Sequence, residues 1–282
     1  MSKKLTRLKK IKNLNLKYSF VQGRFSNEVA GKFQHFPIDN WENELHLAKK
    51  LNFDSIEWII SDFSNPIFNS TFSRIIKKTL RKKKLEISSI SLDLIMDSPL
   101  HKLTKKEIDW LIDKIKSSII FFKIKRVSIP IEERSRFNNN KEKKLALENL
   151  YRFFSKLSKF CKICIETDIS PNALNNILKK KKFKKLGILL DLGNTRAHGF
   201  NIEDYFNNFF DRIYSIHIKF REKSFGKSKV LKKNIFSELK YLIKNIHLLK
   251  ELEDISFQTF KTHKNYFTDM LKSINSYNTY VK

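Results

Sequence analysis

The chain has 282 residues, with 57 Lys and Arg against 29 Asp and Glu, a formal net charge of +28. It is 41% hydrophobic and 30% charged with only six glycines and five prolines, which excludes collagen-like and disordered classes and leaves a folded unit able to bury a sizeable core. So basic a protein meets polyanions readily, but Lys, Asn, Ile and Phe are abundant together, the set encoded by AT-rich codons, so the charge reads as composition and a nucleic-acid partner is not expected.

No apolar run reaches the about 18 residues of a membrane span, and the opening "MSKKLTRLKKIKNLNLKYSF" lacks the apolar centre of a secretion signal. Neither a membrane partner nor export is expected. Cys161 and Cys164 are the only cysteines, too few for a disulfide framework, so the expected compartment is the cytoplasm.

After a basic lead-in over residues 1–16, strand-like runs recur along the chain. They are "YSFVQ" (18–22), "SIEWI" (55–59), "ISSISL" (87–92), "RVSIP" (126–130), "ICIET" (163–167), "LGILLDL" (186–192), "IYSIHIK" (213–219) and "ISFQT" (255–259). Between them lie amphipathic helical patterns, such as Trp41, Leu45, Ala48 and Leu51, or Leu145, Leu147, Leu150, Phe154 and Leu157. A strand followed by a helix, repeated eight times without a Pro/Gly-rich linker, predicts one α/β domain over 1–282, a single (β/α)8 TIM barrel. The lysine runs at 77–84 and 179–185 then fall at helix C-termini before the third and sixth strands, on the face of the barrel away from any active site.

At the C-terminal ends of the strands stand Glu57, Glu166, Asp191, His217 and Gln258. Each follows an apolar run, where an unpaired charge is costly, so a partner such as a cation is expected. This mixed nitrogen and oxygen set suits one Mn²⁺, Co²⁺, Mg²⁺ or Zn²⁺ ion. Cys164 shares the parity of Glu166 and faces the barrel interior, so the C-x-x-C spacing reads as core and not as a redox pair.

The motifs "VQGRFS", "FPIDNWENELHLAKKLNFDSIEW", "ICIETDISP", "LLDLGN", "IHIKFRE" and "FQT" resemble the sugar phosphate isomerase/epimerase family of xylose isomerase-like TIM barrels, over about residues 18–260. The resemblance implies one divalent metal held by Glu166, Asp191, His217 and Gln258. An amide stands at the fourth position, where relatives usually carry Glu. It also implies proton abstraction alpha to the carbonyl of a ketose or ketose phosphate, through an enediolate, with Glu166 as ligand and base. Glu57 is the candidate for the second acid/base.

Gln22, Arg24, Asn194, Lys219 and Arg221 are the expected substrate-binding residues, and Lys223, Lys227 and Lys229 are further candidates for a phosphate. Two other readings are carried. A sugar- or partner-binding descendant without catalysis is suggested by Gln258 and the altered "HIKFRE" stretch. An endonuclease IV-like nuclease is suggested by the charge, although Asn194 stands where a zinc-binding His would be needed.

Overall fold

Along most strands a small or charged residue alternates with a bulky apolar one, and this alternation decides which side chains fill the barrel and which face the helices. The computed structural model describes residues 6–12, 14–29, 31, 34–222, 236–259 and 266–281. Its strands are β1 (Lys17–Val21), β2 (Ser55–Ile59), β3 (Glu86–Ser91), β4 (Arg126–Ile131), β5 (Lys162–Thr167), β6 (Gly187–Asp191), β7 (Ile213–Ile218) and β8 (Asp254–Phe257). They pair in parallel in chain order, and β8 returns to β1, which closes the (β/α)8 barrel. Each coincides with an expected run to within two residues at either end.

The helices are α1 (Trp41–Lys50), α2 (Ser70–Lys83), α3 (Leu94–Asp97), α4 (Lys105–Phe122), α5 (Asn140–Leu157), α6 (Pro171–Leu178), α7 (Leu192–Ala197), α8 (Ile202–Phe209), α9 (Ser237–Asn245) and α10 (Tyr266–Asn278). Their starts are written locally. Thr104 and Glu107 form a reciprocal capping box on α4, and the side chains of Asn69, Asn139 and Ser170 cap α2, α5 and α6. Trp41, Leu45, Ala48 and Leu51 are buried, as the pattern requires. In α5 the buried stripe is rotated relative to the expectation: Ala146 and Phe153 join Leu147, Leu150 and Leu157, while Leu145 is exposed and Phe154 only partly covered.

The main core is the layer between strands and helices, where Phe20, Ile56, Trp58, Val127, Ile165 and Ile216 belong to one continuous apolar cluster. Inside the barrel the filling is polar. Ser19, Ser89, Ser215 and Ser256 are buried there with Glu57, Arg126 and Asp254. Arg126 lies 3.0 Å from Glu57 and 2.6 Å from Asp254, and Ser89 and Ser256 donate to Glu57 at 3.1 and 3.2 Å. A charged plug of this kind is tolerated because nearly every group in it has a partner of opposite sign or a hydroxyl.

Candidate metal and substrate site

Parallel register brings the strand ends to one level. Pro130 of β4 stands opposite Glu166 of β5, and Asp191 of β6 opposite His217 of β7. Glu166, Asp191 and His217 each offer a ligand atom within 4.8 Å of the other two, and all three side chains are buried. Gln258 follows β8, its backbone N–H bonded to the Ile218 carbonyl at 3.1 Å, so it continues the ladder just past its last strand residue.

Glu166 Oε1, Asp191 Oδ2, His217 Nδ1 and Gln258 Oε1 are buried atoms without a hydrogen-bond partner. His217 Nδ1 and Glu166 Oε1 are 3.3 Å apart but not aligned as a hydrogen bond, and Lys219 Nζ stands 3.6 Å from Asp191 Oδ2. Buried polar atoms without partners are rare in folded proteins. Two carboxylate oxygens and an imidazole nitrogen so placed fit a divalent ion of borderline or hard character, and Gln258 Oε1 is a further unbonded buried oxygen just past the neighbouring strand.

Glu57 occupies a different level. It is fully buried in the middle of β2, accepts from His217 Nε2 at 3.1 Å, and is held from below by Arg126. Burial alone would raise its carboxyl, but His217 and then Arg126 bring it down to about 2. Glu57 stands on the Nε2 side of the His217 ring and leaves Nδ1 turned toward Glu166, so the carboxylate orients the imidazole from behind. Desolvation alone would lower His217; the two glutamates raise it well above an ordinary histidine. In this position Glu57 does not reach the barrel mouth, contrary to the expectation of a second acid/base.

The expected substrate-binding residues fall into two groups. Asn194 is spent as a bracket: its backbone N–H donates to Asp191 Oδ1 at 2.8 Å, its Nδ2 to Glu132 Oε2 at 2.6 Å, and its Oδ1 accepts from the buried Arg221. Gln22 is fully enclosed, with Oε1 accepting from Ile59 N at 3.1 Å and Nε2 unpartnered. Arg24 is buried beside the mouth, donating to the Thr259 carbonyl at 3.2 Å and to Gln34 Oε1. Burial lowers it to about 10, offset in part by Asp93, Glu166 and Asp191. Lys219 reaches toward Asp191. Lys223, Lys227 and Lys229 lie outside the described residues.

Sequence reasoning missed Glu132 and Asp93, a buried and a half-buried carboxyl one and two residues beyond β4 and β3. Burial first, and then Glu166, pushes Glu132 well above the usual carboxyl range, and burial raises Asp93 to about 7. Each therefore favours its neutral form more than an ordinary carboxyl does. The signal for them was the one used on β5 to β8, an acid just after an apolar strand, but it was read only inside the runs. Cys164 is fully buried inside the barrel, its thiol 3.7 Å from the Val127 carbonyl.

No protein-family model matches the sequence, and no curated protein is similar to it. Solved structures do share the fold. A xylose isomerase-like TIM barrel protein from Mycobacterium smegmatis, in complex with magnesium, is 15% identical with a TM-score of 0.68 over 95% of this chain and 98% of its own. A sugar phosphate isomerase/epimerase from Parabacteroides distasonis is 14% identical with a TM-score of 0.68, over 94% of this chain and 100% of its own. The IolI protein with a bound zinc atom is 14% identical with a TM-score of 0.66, over 94% of this chain and 96% of its own. Nearly full coverage of both chains, joined to the closed eight-stranded topology, shows that this chain shares the (β/α)8 barrel fold of these structures.

Proposed function

We infer that the protein is a divalent-metal-dependent isomerase or epimerase of a ketose or ketose phosphate. The observation that carries this reading is the convergence of Glu166, Asp191 and His217 within 4.8 Å, each with a buried atom that makes no hydrogen bond. The ion would be held by these three and Gln258, and when bound it would act as a Lewis acid toward the substrate's carbonyl and neighbouring hydroxyl oxygens.

This chain's own residues do the rest. Glu166, facing the cluster, takes the proton alpha to the carbonyl. Glu57 works from below as a positioning residue that orients His217. Glu132 is the second carboxyl suited to hold a proton at the mouth, since its neutral form is favoured there and Asn194 fixes its direction. Return of the proton to the same carbon from the other face gives epimerisation; return to the neighbouring carbon gives aldose/ketose interconversion. Lys219 and Arg221 supply the positive charge that would orient an anionic or polyhydroxylated substrate.

The zinc- and magnesium-bound fold neighbours and the sugar phosphate isomerase/epimerase among them support the same reading. The nuclease alternative calls for a multinuclear cluster with several histidines, whereas the described residues offer one group of three containing His217 alone. The test is metal analysis of the purified protein, joined to a panel of ketoses and ketose phosphates followed by NMR in heavy water. Solvent deuterium should enter the carbon alpha to the carbonyl. Glu166→Gln should abolish that exchange while leaving the circular dichroism unchanged, and exchange that survives in this variant removes the proposed base. Protein that takes up no divalent ion would favour the non-catalytic binding reading.

A further inference from the structure

An amide ligand poses a problem that a carboxylate does not. A carboxylate presents oxygen whichever way it turns, but Gln258 can present either oxygen or an N–H₂ group, and only the oxygen can ligate a cation. Side-chain amides are held one way or the other by the hydrogen bonds around them. In this chain the bonds that decide the matter can be traced to a permanent charge.

Arg24 donates through Nη2 to Gln34 Oε1. A guanidinium has donors only and stays charged throughout the working pH range, so the atom of Gln34 that meets it must be the oxygen. Gln34 Nε2 correspondingly donates to Asp93 Oδ1 at 2.9 Å, which restrains the other end of the same amide. The Gln34 oxygen also meets the Gln258 side chain at 3.1 Å, and opposite an acceptor Gln258 must place its nitrogen. Gln258 Oε1 is then turned the other way, buried and without a protein partner.

Arg24 is itself held firmly. Its loop is cradled by Glu44 of α1, which accepts from the backbone N–H groups of Gly23 and Phe25 at 3.0 and 2.9 Å, and Gly23 takes the positive φ of 85° that this turn needs. Arg24 Nη1 donates to the Thr259 carbonyl, one residue beyond Gln258, at 3.2 Å. The same guanidinium therefore fixes both the backbone after β8 and, through Gln34, the amide of Gln258.

We propose that Arg24, acting through Gln34, is a positioning device that turns the carbonyl oxygen of Gln258 toward Glu166, Asp191 and His217, so that an amide serves as the fourth ligand of a divalent ion. The proposal rests on the metal reading given above and assigns Arg24 to orientation of the site, whereas the sequence had suggested substrate contact. It also gives Gln34, which no motif singled out, a definite role.

The test uses the full chain with Zn²⁺ measured by calorimetry and Co²⁺ measured by its visible absorption, which reports the ligand set directly. Gln34→Met removes the acceptor at nearly constant length; Gln34→Glu keeps an oxygen facing both Arg24 and Gln258; Gln258→Ala removes the ligand itself. Gln34→Met should weaken Zn²⁺ by roughly ten- to a hundredfold, the usual cost of losing a group that orients a ligand. Its Co²⁺ spectrum should move to that of Gln258→Ala, while Gln34→Glu should stay within a few-fold of the parent and keep the parent spectrum.

Parent affinity and spectrum in Gln34→Met would overturn the orienting role, and the same result in Gln258→Ala would show that there is no ligand to orient. Either can occur while Glu166→Ala still abolishes Zn²⁺ binding, which separates failure of this proposal from failure of the metal site. Absence of Zn²⁺ and Co²⁺ binding in the parent would overturn both.

Discussion

Arg126 lies fully buried between Glu57 and Asp254, and the two carboxylates it neutralises have no route to water. Removing it leaves two like charges in the barrel, so Arg126→Met should cost about 3–5 kcal/mol, the usual penalty for breaking a buried pair from one side. Replacing all three members, Glu57→Gln with Arg126→Met and Asp254→Asn, should recover much of that loss, because no uncompensated charge remains. Urea unfolding of the single and triple variants measures both, and a triple variant less stable than the single one would contradict the account.

The cysteines give a second check at the same scale. Burial pushes the Cys161 thiol up to about 12 and raises Cys164 as well, so neither is a thiolate near neutrality. Reaction of the native protein with a disulfide reagent near pH 8 should be slower by roughly a hundredfold or more than that of urea-unfolded protein, in which both thiols react. Fast modification of the native form would restore the redox reading.

Glu166, Asp191 and His217 could be read from sequence because each ends a strand whose apolar run is unmistakable. Glu57 was misplaced for a physical reason. Parity tells which face of a strand a residue occupies but not its depth, and Glu57 sits two residues below the end of β2. Gln34 carried no signal, because its role depends on contacts across 59 and 224 residues of chain.

At the scale of elements, α7 holds the face that carries Asp191 in shape. Asp191 is both the last residue of β6 and the N-cap of α7, accepting from Asn194 N. Gly193 in the first turn packs so closely on β7 that a Cβ there would lie 2.6 Å from the Lys219 carbonyl oxygen. Gly193→Ala must therefore push α7 away from β7, with a stability cost of about 1–3 kcal/mol. Because the displaced turn carries Asp191, Zn²⁺ affinity should fall with it.

Thr104→Ala is the matching control. It removes the capping box of α4, on the outside of the barrel, for about 1 kcal/mol and should leave Zn²⁺ binding unchanged. Calorimetry and urea unfolding on the two variants separate local fit at the site from stability alone. These helices also show where sequence reading fails. Every strand was found, because β-branched runs between turns are distinctive, but the α5 stripe was misjudged where Leu145, Ala146 and Leu147 stand together and the helical period alone does not choose between neighbours.

For the whole molecule, the alternation of strands and helices carried the architecture, and one consequence of that architecture governs the charge. The lysine run in the last turns of α2 and the one after α6 lie before β3 and β6, at the N-terminal ends of the strands, while Glu166, Asp191 and His217 converge toward the opposite ends. On the outer face of α2, Arg74, Lys77, Lys78 and Arg81 recur at helical spacing and line, with Phe121, a groove of about 350 Å³. Like charges so spaced repel one another, and a polyanion would relieve that repulsion.

The protein should therefore bind single-stranded DNA weakly and without sequence preference, with affinity falling steeply as salt rises. Lys78→Gln with Arg81→Gln should reduce the slope of log affinity against log salt by roughly one to two units, read by fluorescence anisotropy of a labelled oligonucleotide. Since that surface lies outside the barrel on α2 and shares no residue with the Glu166, Asp191 and His217 cluster, Zn²⁺ affinity should be the same with and without saturating oligonucleotide. An unchanged slope in the double variant would move the polyanion surface elsewhere. A Zn²⁺ affinity that shifts with oligonucleotide would mean that the two faces are coupled, and the basic charge could then no longer be treated as independent of the chemistry at the barrel mouth.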